Sequence, residues 1–291
     1  MVGDDMKAGF IGAGKVGFSL GKFFSENRIT VTGYYSRHEK SAREAAEFTK
    51  SQCYTEIETL IRESDAIFLT VPDGVINSTY EEIKNYDIKD KQICHCSGAL
   101  SSEEAFPGIK ERGAHGYSIH PLFPVSDKLN SYRELSGAFF CLEGSDEGIS
   151  WWLDYFKENA KGSKLIEAKN KVKYHAACAI ASNLYCALMQ ESMELMSQCG
   201  FTNEEALMAV TPLVESNVRH ILEDGPLRAL TGPVERGDAE TVRKHLGCIS
   251  DGVDRDLYIA ASRKLTEVAQ AKNPQRDYGI LRECLDTSDA K

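Results

Sequence analysis

Short apolar runs near residues 7–12, 29–35, 65–71, 91–96, 114–119 and 137–142 alternate with stretches in which apolar residues recur every three to four positions, near 15–26, 39–50, 56–63, 74–84 and 146–160. Runs of that length read as buried strands, and the helical period reads as amphipathic helices packed on them. The βαβ rhythm predicts an α/β fold with a doubly wound, mainly parallel sheet over residues 1–167. From about Lys169 the strand pattern stops. Residues 169–199, 203–223, 238–250 and 254–271 predict helices, so 168–291 form a smaller all-α domain. Gly200 closes its first long helix, Gly225-Pro226 and Gly232-Pro233 interrupt it, and Asn273-Pro274 ends it. Residues 275–291 are expected to be a loosely held tail.

The first apolar run continues into Gly12-Ala13-Gly14-Lys15-Val16-Gly17, a G-x-G-x-x-G fingerprint between a strand and a helix. In that context the glycines have separate tasks. Gly12 turns the chain, Gly14 lets bare backbone approach a pyrophosphate, and Gly17 lets the helix pack close to the strand. The helix N-terminus, with Lys15 and Val16, then faces the phosphates. The second strand ends in Tyr34-Tyr35-Ser36-Arg37 and carries no acidic residue at its tip. An acid there would take a ribose 2′-hydroxyl, whereas Arg beside a small hydroxyl residue suits a 2′-phosphate. The expected cofactor is therefore NADP(H), clamped by Ser36 and Arg37 with His38 or Arg43 as helpers.

Length and composition suit a soluble globular protein of two domains. The net charge of −10 argues against nucleic acid or an anionic membrane as partner, so the cofactor site must be a local positive island. Nine cysteines without a C-x-x-C pair read as reduced thiols of a cytoplasmic protein. Cys94-His95-Cys96 alternates faces along a strand and has no second ligand pair at zinc spacing, so no metal is expected. Asp4 and Asp5 precede the first strand where a targeting segment would be basic or apolar, and no stretch is long and apolar enough to span a bilayer.

Ligands of such sheets bind beyond the carboxyl ends of the strands. Three segments fall there: Val71-Pro72-Asp73, whose proline turn brings backbone near the adenosine half of the cofactor; Ser97-Gly98, small enough for a nicotinamide to approach; and His120-Pro121, where Pro121 fixes the chain and aims His120 at the same crevice. The strongest catalytic candidates open the long helix. Lys171 and His175 are one turn apart and share a face, and at about 100° per residue Ser182 returns to within roughly 20° of Lys171, with Asn183 on a neighbouring face. Polar groups on an otherwise apolar helix are costly to bury unless they meet a ligand or water. Farther on, Asp238 reads as a helix cap. Thr231 and Arg236 are not explained by capping, and Arg is the usual bidentate partner of a carboxylate.

These motifs, together with Ser118-Ile119 before His120, Tyr174-His175-Ala176-Ala177 after Lys171, and Thr231-Gly232-Pro233 leading to Arg236-Gly237-Asp238, resemble the two-domain bacterial proteins that pair a Rossmann-like domain with a helical domain of unknown function 2520. The likeness spans nearly the whole chain. That family is similar in plan to 6-phosphogluconate, 3-hydroxyisobutyrate and ketopantoate dehydrogenases or reductases, and to pyrroline-5-carboxylate reductase. The resemblance implies an oxidoreductase, and for some members a non-standard ketopantoate reductase. In the related hydroxyacid dehydrogenases a Lys opens the interdomain helix and an Asn follows one turn later; Lys171 matches the Lys, whereas His175 stands in the place of the Asn. Proton donation therefore stays open between Lys171 and His175. A likeness to prephenate dehydrogenase ranks lower, because His95 would point into the sheet.

The resulting expectation is an NADPH-dependent reductase of a small 2-oxo acid, ketopantoate first. Lys171, with or without His175, would serve the forming alkoxide, and Arg236 or Asn183 would hold the carboxylate, with Ser97, Gly98, His120, Ser182 and Thr231 around the substrate. An imine reductase of the pyrroline-5-carboxylate type is the alternative within enzymes, and a non-catalytic NADP(H) sensor the alternative outside them. A coenzyme F420 reductase would not need so large a helical domain. Leu184, Leu188, Met189, Met193 and Met196 make the long helix apolar over more than one stripe, which predicts burial in a homodimer through the helical domain.

Overall fold

The computed structural model of the chain describes residues 6–286. Asp4 and Asp5, and residues 287–291 of the expected tail, lie outside them. The chain divides into two compact units, one ending at Ala179 and the other beginning at Ile180. The sequence pattern places the division after residue 167, ahead of the helix that opens at Lys171, whereas the compact units divide inside that helix.

The first unit carries eight strands: β1 (Lys7–Ile11), β2 (Thr30–Tyr35), β3 (Gln52–Cys53), β4 (Ala66–Leu69), β5 (Gln92–His95), β6 (His115–Leu122), β7 (Phe139–Gly144) and β8 (Gly162–Leu165). They form one sheet in the order β3-β2-β1-β4-β5-β6-β7-β8. All neighbours are parallel except β6 and β7. Its helices are α1 (Lys15–Glu26), α2 (Glu39–Thr49), α3 (Ile57–Glu63), α4 (Ile76–Ile83), α5 (Ser102–Ala105), α6 (Ile149–Asn159) and α7 (Lys171–Ala181).

The central strands are apolar on both faces because helices cover both. Side-chain alternation sorts them. Ala8, Phe10, Ala66, Phe68 and Cys94 enter one core with Phe24 of α1 and Trp152 of α6. Ile11, Ile67, Leu69 and Ile93 enter the other with Leu60 of α3 and Tyr80 of α4. The first core is aromatic: Phe140 and Phe156 stack with centroids 3.9 Å apart, and the one polar atom of Trp152 donates to Gln92 Oε1 at 2.6 Å. Two strands escape the sequence pattern, β3 with two residues and β8 with the sequence Gly-Ser-Lys-Leu, because neither holds an apolar run.

One register detail positions the site. The β5–β6 pairing ends at His95 opposite Ser118, while β6 runs on to Leu122 against β7 alone. His120 and Pro121 therefore extend past the carboxyl end of β5, beside the Ser97-Gly98 turn that leaves it.

The second unit is helical: α8 (Asn183–Gln198), α9 (Asn203–Asp224), α10 (Pro226–Ala229), α11 (Pro233–Arg236), α12 (Ala239–Cys248), α13 (Val253–Lys272) and α14 (Gly279–Asp286). Two expectations need correction here. The predicted helix 169–199 breaks at Ser182, whose φ of −124° and ψ of −73° are not helical. Angular arithmetic carried from Lys171 to Ser182 and Asn183 across that break therefore does not apply. The predicted loose tail is not loose up to Asp286. Tyr278, Leu281 and Leu285 are each at most 1% exposed and belong to the core of this unit, with Val242 and Ile259. The tail is short of turns but apolar on one face, and that face is what docks. No described helix is long and apolar enough to cross a membrane.

Candidate active site

Gly12, Ser36 and Thr70 follow directly on strand ends and Ser97 one residue later, so their segments line one edge of the sheet. At Gly12 φ is +108°, and a Cβ there would sit 2.6 Å from the Thr70 carbonyl oxygen; a Cβ on Gly17 would sit 2.6 Å from the Gly12 oxygen. Only glycine lets β1, β4 and α1 approach this closely. Gly14 faces open space, with nothing within 4 Å of a Cβ position, and no side chain caps α1. The first N–H groups of the helix are thus left for an anion.

A cleft of about 570 Å³ runs from this turn past Ser36, Arg37 and His38 to Val71 and Pro72. Arg37 is exposed and makes no hydrogen bond or ion pair with another described residue. Arg43, named above as a helper, is instead paired with Glu39 and does not line the cleft. Asp73 also leaves the cleft: its carboxylate accepts the Ser97 hydroxyl at 2.6 Å and ties the turn after β4 to the turn after β5. Glycines for close approach, bare helix N–H groups and an unpaired Arg at the β2 tip fit a dinucleotide with a 2′-phosphate.

Beside this edge Lys171 is buried, with 1% of its surface exposed. Its Nζ donates to the Ser97 carbonyl at 2.9 Å and to Ser118 Oγ at 2.5 Å. Ser118 Oγ in turn donates to the same Ser97 carbonyl at 3.1 Å. Burial pushes the ammonium below its ordinary range, opposed chiefly by the charge of Glu143. Glu143 lies opposite Ser118 across the β6–β7 pair, itself buried, and accepts from the Ser102 backbone N–H at 2.6 Å and hydroxyl at 2.9 Å.

The second cluster is aromatic. His120 Nδ1 is 2.7 Å from the Tyr174 hydroxyl, and the His120 and His175 rings meet edge to face at 6.2 Å. Both close on Gly98. A Cβ there would lie 2.5 Å from His175 Cδ2 and 2.9 Å from His120 Nε2. His95 points away into the sheet, packed edge to face on Phe106, and its Nδ1 accepts the Ser97 N–H at 3.1 Å.

Ser97, Gly98, His120, Lys171 and His175 thus come together within the first unit, with buried Pro121 next to His120. Ser182, Asn183, Thr231 and Arg236 belong to the second unit and are all exposed. There Asp238 caps α12 through the Thr241 N–H at 3.0 Å and hydroxyl at 2.7 Å. Sequence reasoning passed over Ser118, Glu143 and Tyr174 as site residues. Each had a faint signal: Ser118 shares a strand face with His120, Tyr174 is three residues after Lys171, and Glu143 is a lone acid in an apolar strand.

Comparison with known proteins gives two family matches, the second of which along the chain begins before β7 of the first unit and continues into the second unit. Residues 138–265 match the domain of unknown function 2520, and residues 7–97 match the family described as NADP oxidoreductase, coenzyme F420-dependent. Protein TM1727 of Thermotoga maritima is similar at 29% identity and a TM-score of 0.73, over 91% of this chain and 99% of that one. BF3122 of Bacteroides fragilis, described as a candidate NADP oxidoreductase, shares the fold at 20% identity and a TM-score of 0.69, over 91% and 99%. So does a pyrroline carboxylate reductase of Plasmodium falciparum with NADP bound, at 15% identity and a TM-score of 0.57, over 99% and 98%. No curated protein sequence matches the chain. The chain thus carries, in this order, a match to an NADP oxidoreductase domain and a match to the domain of unknown function 2520. It is an oxidoreductase of the NADP-dependent class.

The buried histidines make stability depend on pH. Burial first, then the Lys171 charge and His175, hold His120 down to about 4. Burial and Lys171 hold His95 down to about 3. Both are neutral above pH ~6.5, where an unfolded histidine is neutral too. Between there and their folded values the unfolded chain binds protons that the folded chain does not, so stability falls as pH falls, by about 1.4 kcal/mol per pH unit for each histidine. Urea unfolding of wild type and His120→Gln isolates one of them. The stability gap between the two is expected to shift against wild type by about 1.2 kcal/mol from pH 6 to pH 5, and a gap independent of pH would show that His120 is not held neutral.

Proposed function

We propose that the protein reduces the carbonyl of a small 2-oxo acid with NADPH, ketopantoate being the first substrate to test. The observation that carries this reading is the buried Lys171 ammonium, fixed by Ser97 and Ser118 at the edge of the sheet where the nucleotide cleft lies. When bound, NADPH would supply the hydride for the carbonyl carbon. Lys171 has three N–H bonds, two of which are engaged, and the third is free for the carbonyl oxygen. Its lowered proton affinity eases transfer of that proton as the alkoxide forms. Arg37 with Ser36 would take the 2′-phosphate, and the α1 N-terminus behind Gly14 the pyrophosphate.

Imine reduction is the second reading, and the same lysine favours it. A group 1% exposed is a poor proton shuttle, and an imine that arrives protonated needs none. Pyrroline is such a cyclic imine, and a pyrroline carboxylate reductase shares this fold. NADPH oxidation measured against a panel of 2-oxo acids and cyclic imines separates the two, and a wild type that oxidises NADPH with neither would leave the NADP(H)-sensor reading.

Cofactor choice is tested at Arg37. Losing an Arg–phosphate contact costs about 1.5–3 kcal/mol, so Arg37→Ala should weaken NADPH by about tenfold to a hundredfold and leave NADH nearly unchanged. Equal wild-type affinity for the two cofactors would reject the assignment. Lys171→Met and Lys171→Ala should each lower kcat on a carbonyl substrate by about 10²- to 10⁴-fold, with NADPH affinity within a few fold. His175→Asn should be mild if Lys171 is the donor. Wild-type rates in both lysine variants would overturn the mechanism.

A homodimer through the helical unit completes the proposal. Helix α8 buries no residue within the chain, and Leu184, Tyr185, Leu188, Leu207, Met208 and Leu222 of α8 and α9 stand exposed. So much apolar surface is unusual on a monomer and suits a second copy. Light scattering at micromolar concentration should give twice the chain mass, and Leu188→Glu should return it to one; a monomeric wild type would refute the dimer.

A further inference from the structure

His120 and Tyr174 form a pair whose chemistry the lysine mechanism leaves unused. His120 stands past the end of β5, its Nδ1 2.7 Å from the Tyr174 hydroxyl. The Cys141 and Cys178 thiols lie near the same hydroxyl. A thiol is a weak acceptor, whereas an imidazole nitrogen is a strong one. The phenolic proton therefore goes to Nδ1. With Nδ1 an acceptor, the ring proton sits on Nε2. Nε2 has no partner among the described residues and lies against Gly98, 2.9 Å from where a Cβ would be.

We infer that His120 presents a neutral Nε2–H above Gly98 as the hydrogen-bond donor to the substrate oxygen that gains charge during reduction, and that Tyr174 is the positioning residue that fixes this tautomer. The inference rests on the carbonyl-reductase reading above. His120 is held down to about 4 by burial and by the Lys171 and His175 charges, so it carries no charge near neutrality. Burial also pushes the Tyr174 phenol well above its ordinary range, so Tyr174 does not release its proton into the pair. The pair orients and polarises; the proton comes from Lys171. Gly98 belongs to the device because a Cβ there would collide with the His120 and His175 rings and displace them.

The tautomer is measurable without substrate. The ring ¹⁵N shifts of His120 in the NADP⁺-bound protein should report Nε2–H in wild type and a mixture of tautomers in Tyr174→Phe, while urea unfolding of that variant stays near wild type. On a carbonyl substrate, removing one fixed donor costs about 10²- to 10³-fold in kcat. His120→Asn keeps an amide near the Nδ1 position only and should lose that much. His120→Gln places its amide near Nε2 and should stay within about tenfold of wild type, with NADPH affinity unchanged in both. A wild-type ring protonated at Nδ1, or an Asn variant as active as the Gln variant, would overturn the inference. A wild type that reduces no carbonyl compound sinks the carbonyl-reductase reading and the donor role with it, while the tautomer is still decided by the shifts.

Discussion

Taking the Lys171 ammonium out of water costs several kcal/mol unless its protons find acceptors and its charge a partner. The Ser97 carbonyl and Ser118 hydroxyl supply the acceptors, and Glu143, held by Ser102, supplies the opposite charge one strand away. These groups come from the turn after β5, from β6, from β7 and from the first turn of α7. None can shift register without stranding a buried charge, so one ammonium locks three strands and a helix together. Gly98 directly follows Ser97 and inherits its position from that lock.

The same physics explains what the chain disclosed in advance. Alternation of apolar runs and helical periods fixed six of the eight strands and the flanking helices, because each must bury a continuous apolar surface. β3 and β8 carry no such surface and are held by hydrogen bonds to neighbours, which leave no compositional trace. The break at Ser182 was hidden for the opposite reason: no Gly or Pro marks it, and the sequence on both sides is helical in pattern. At the C-terminus the apolar spacing of Leu281 and Leu285, one turn apart, was a readable helix signal that the flanking polar residues obscured.

Site residues were legible in proportion to how strongly backbone chemistry constrains them. The Gly12–Gly17 turn demands glycine for steric reasons, so its pattern is explicit. Lys171 and His175 do share a helix face, as one-turn spacing requires. Spacing says nothing about depth, however, and the structure buries the first and exposes the second. Tyr174 and Glu143 could not be ranked from sequence, because their importance lies in partners fifty-four and forty-one residues away, His120 and Ser102.

Within a chain of net charge −10, the functional edge is a place where positive or proton-donating groups have been left with spare capacity. Arg37 is unpaired, the α1 N-terminus is uncapped and His120 Nε2 has no partner. Lys171 differs: two of its bonds are satisfied internally and burial weakens its hold on the proton. On the proposed reading, such a site would offer fixed donors for what stays anionic, the phosphates, and one yielding donor for what becomes anionic only in the transition state. That division between permanent and transient charge distinguishes a reductase from a protein that merely binds the nucleotide, because a sensor has no transient charge to meet and would gain stability by replacing Lys171 with an apolar residue of similar size.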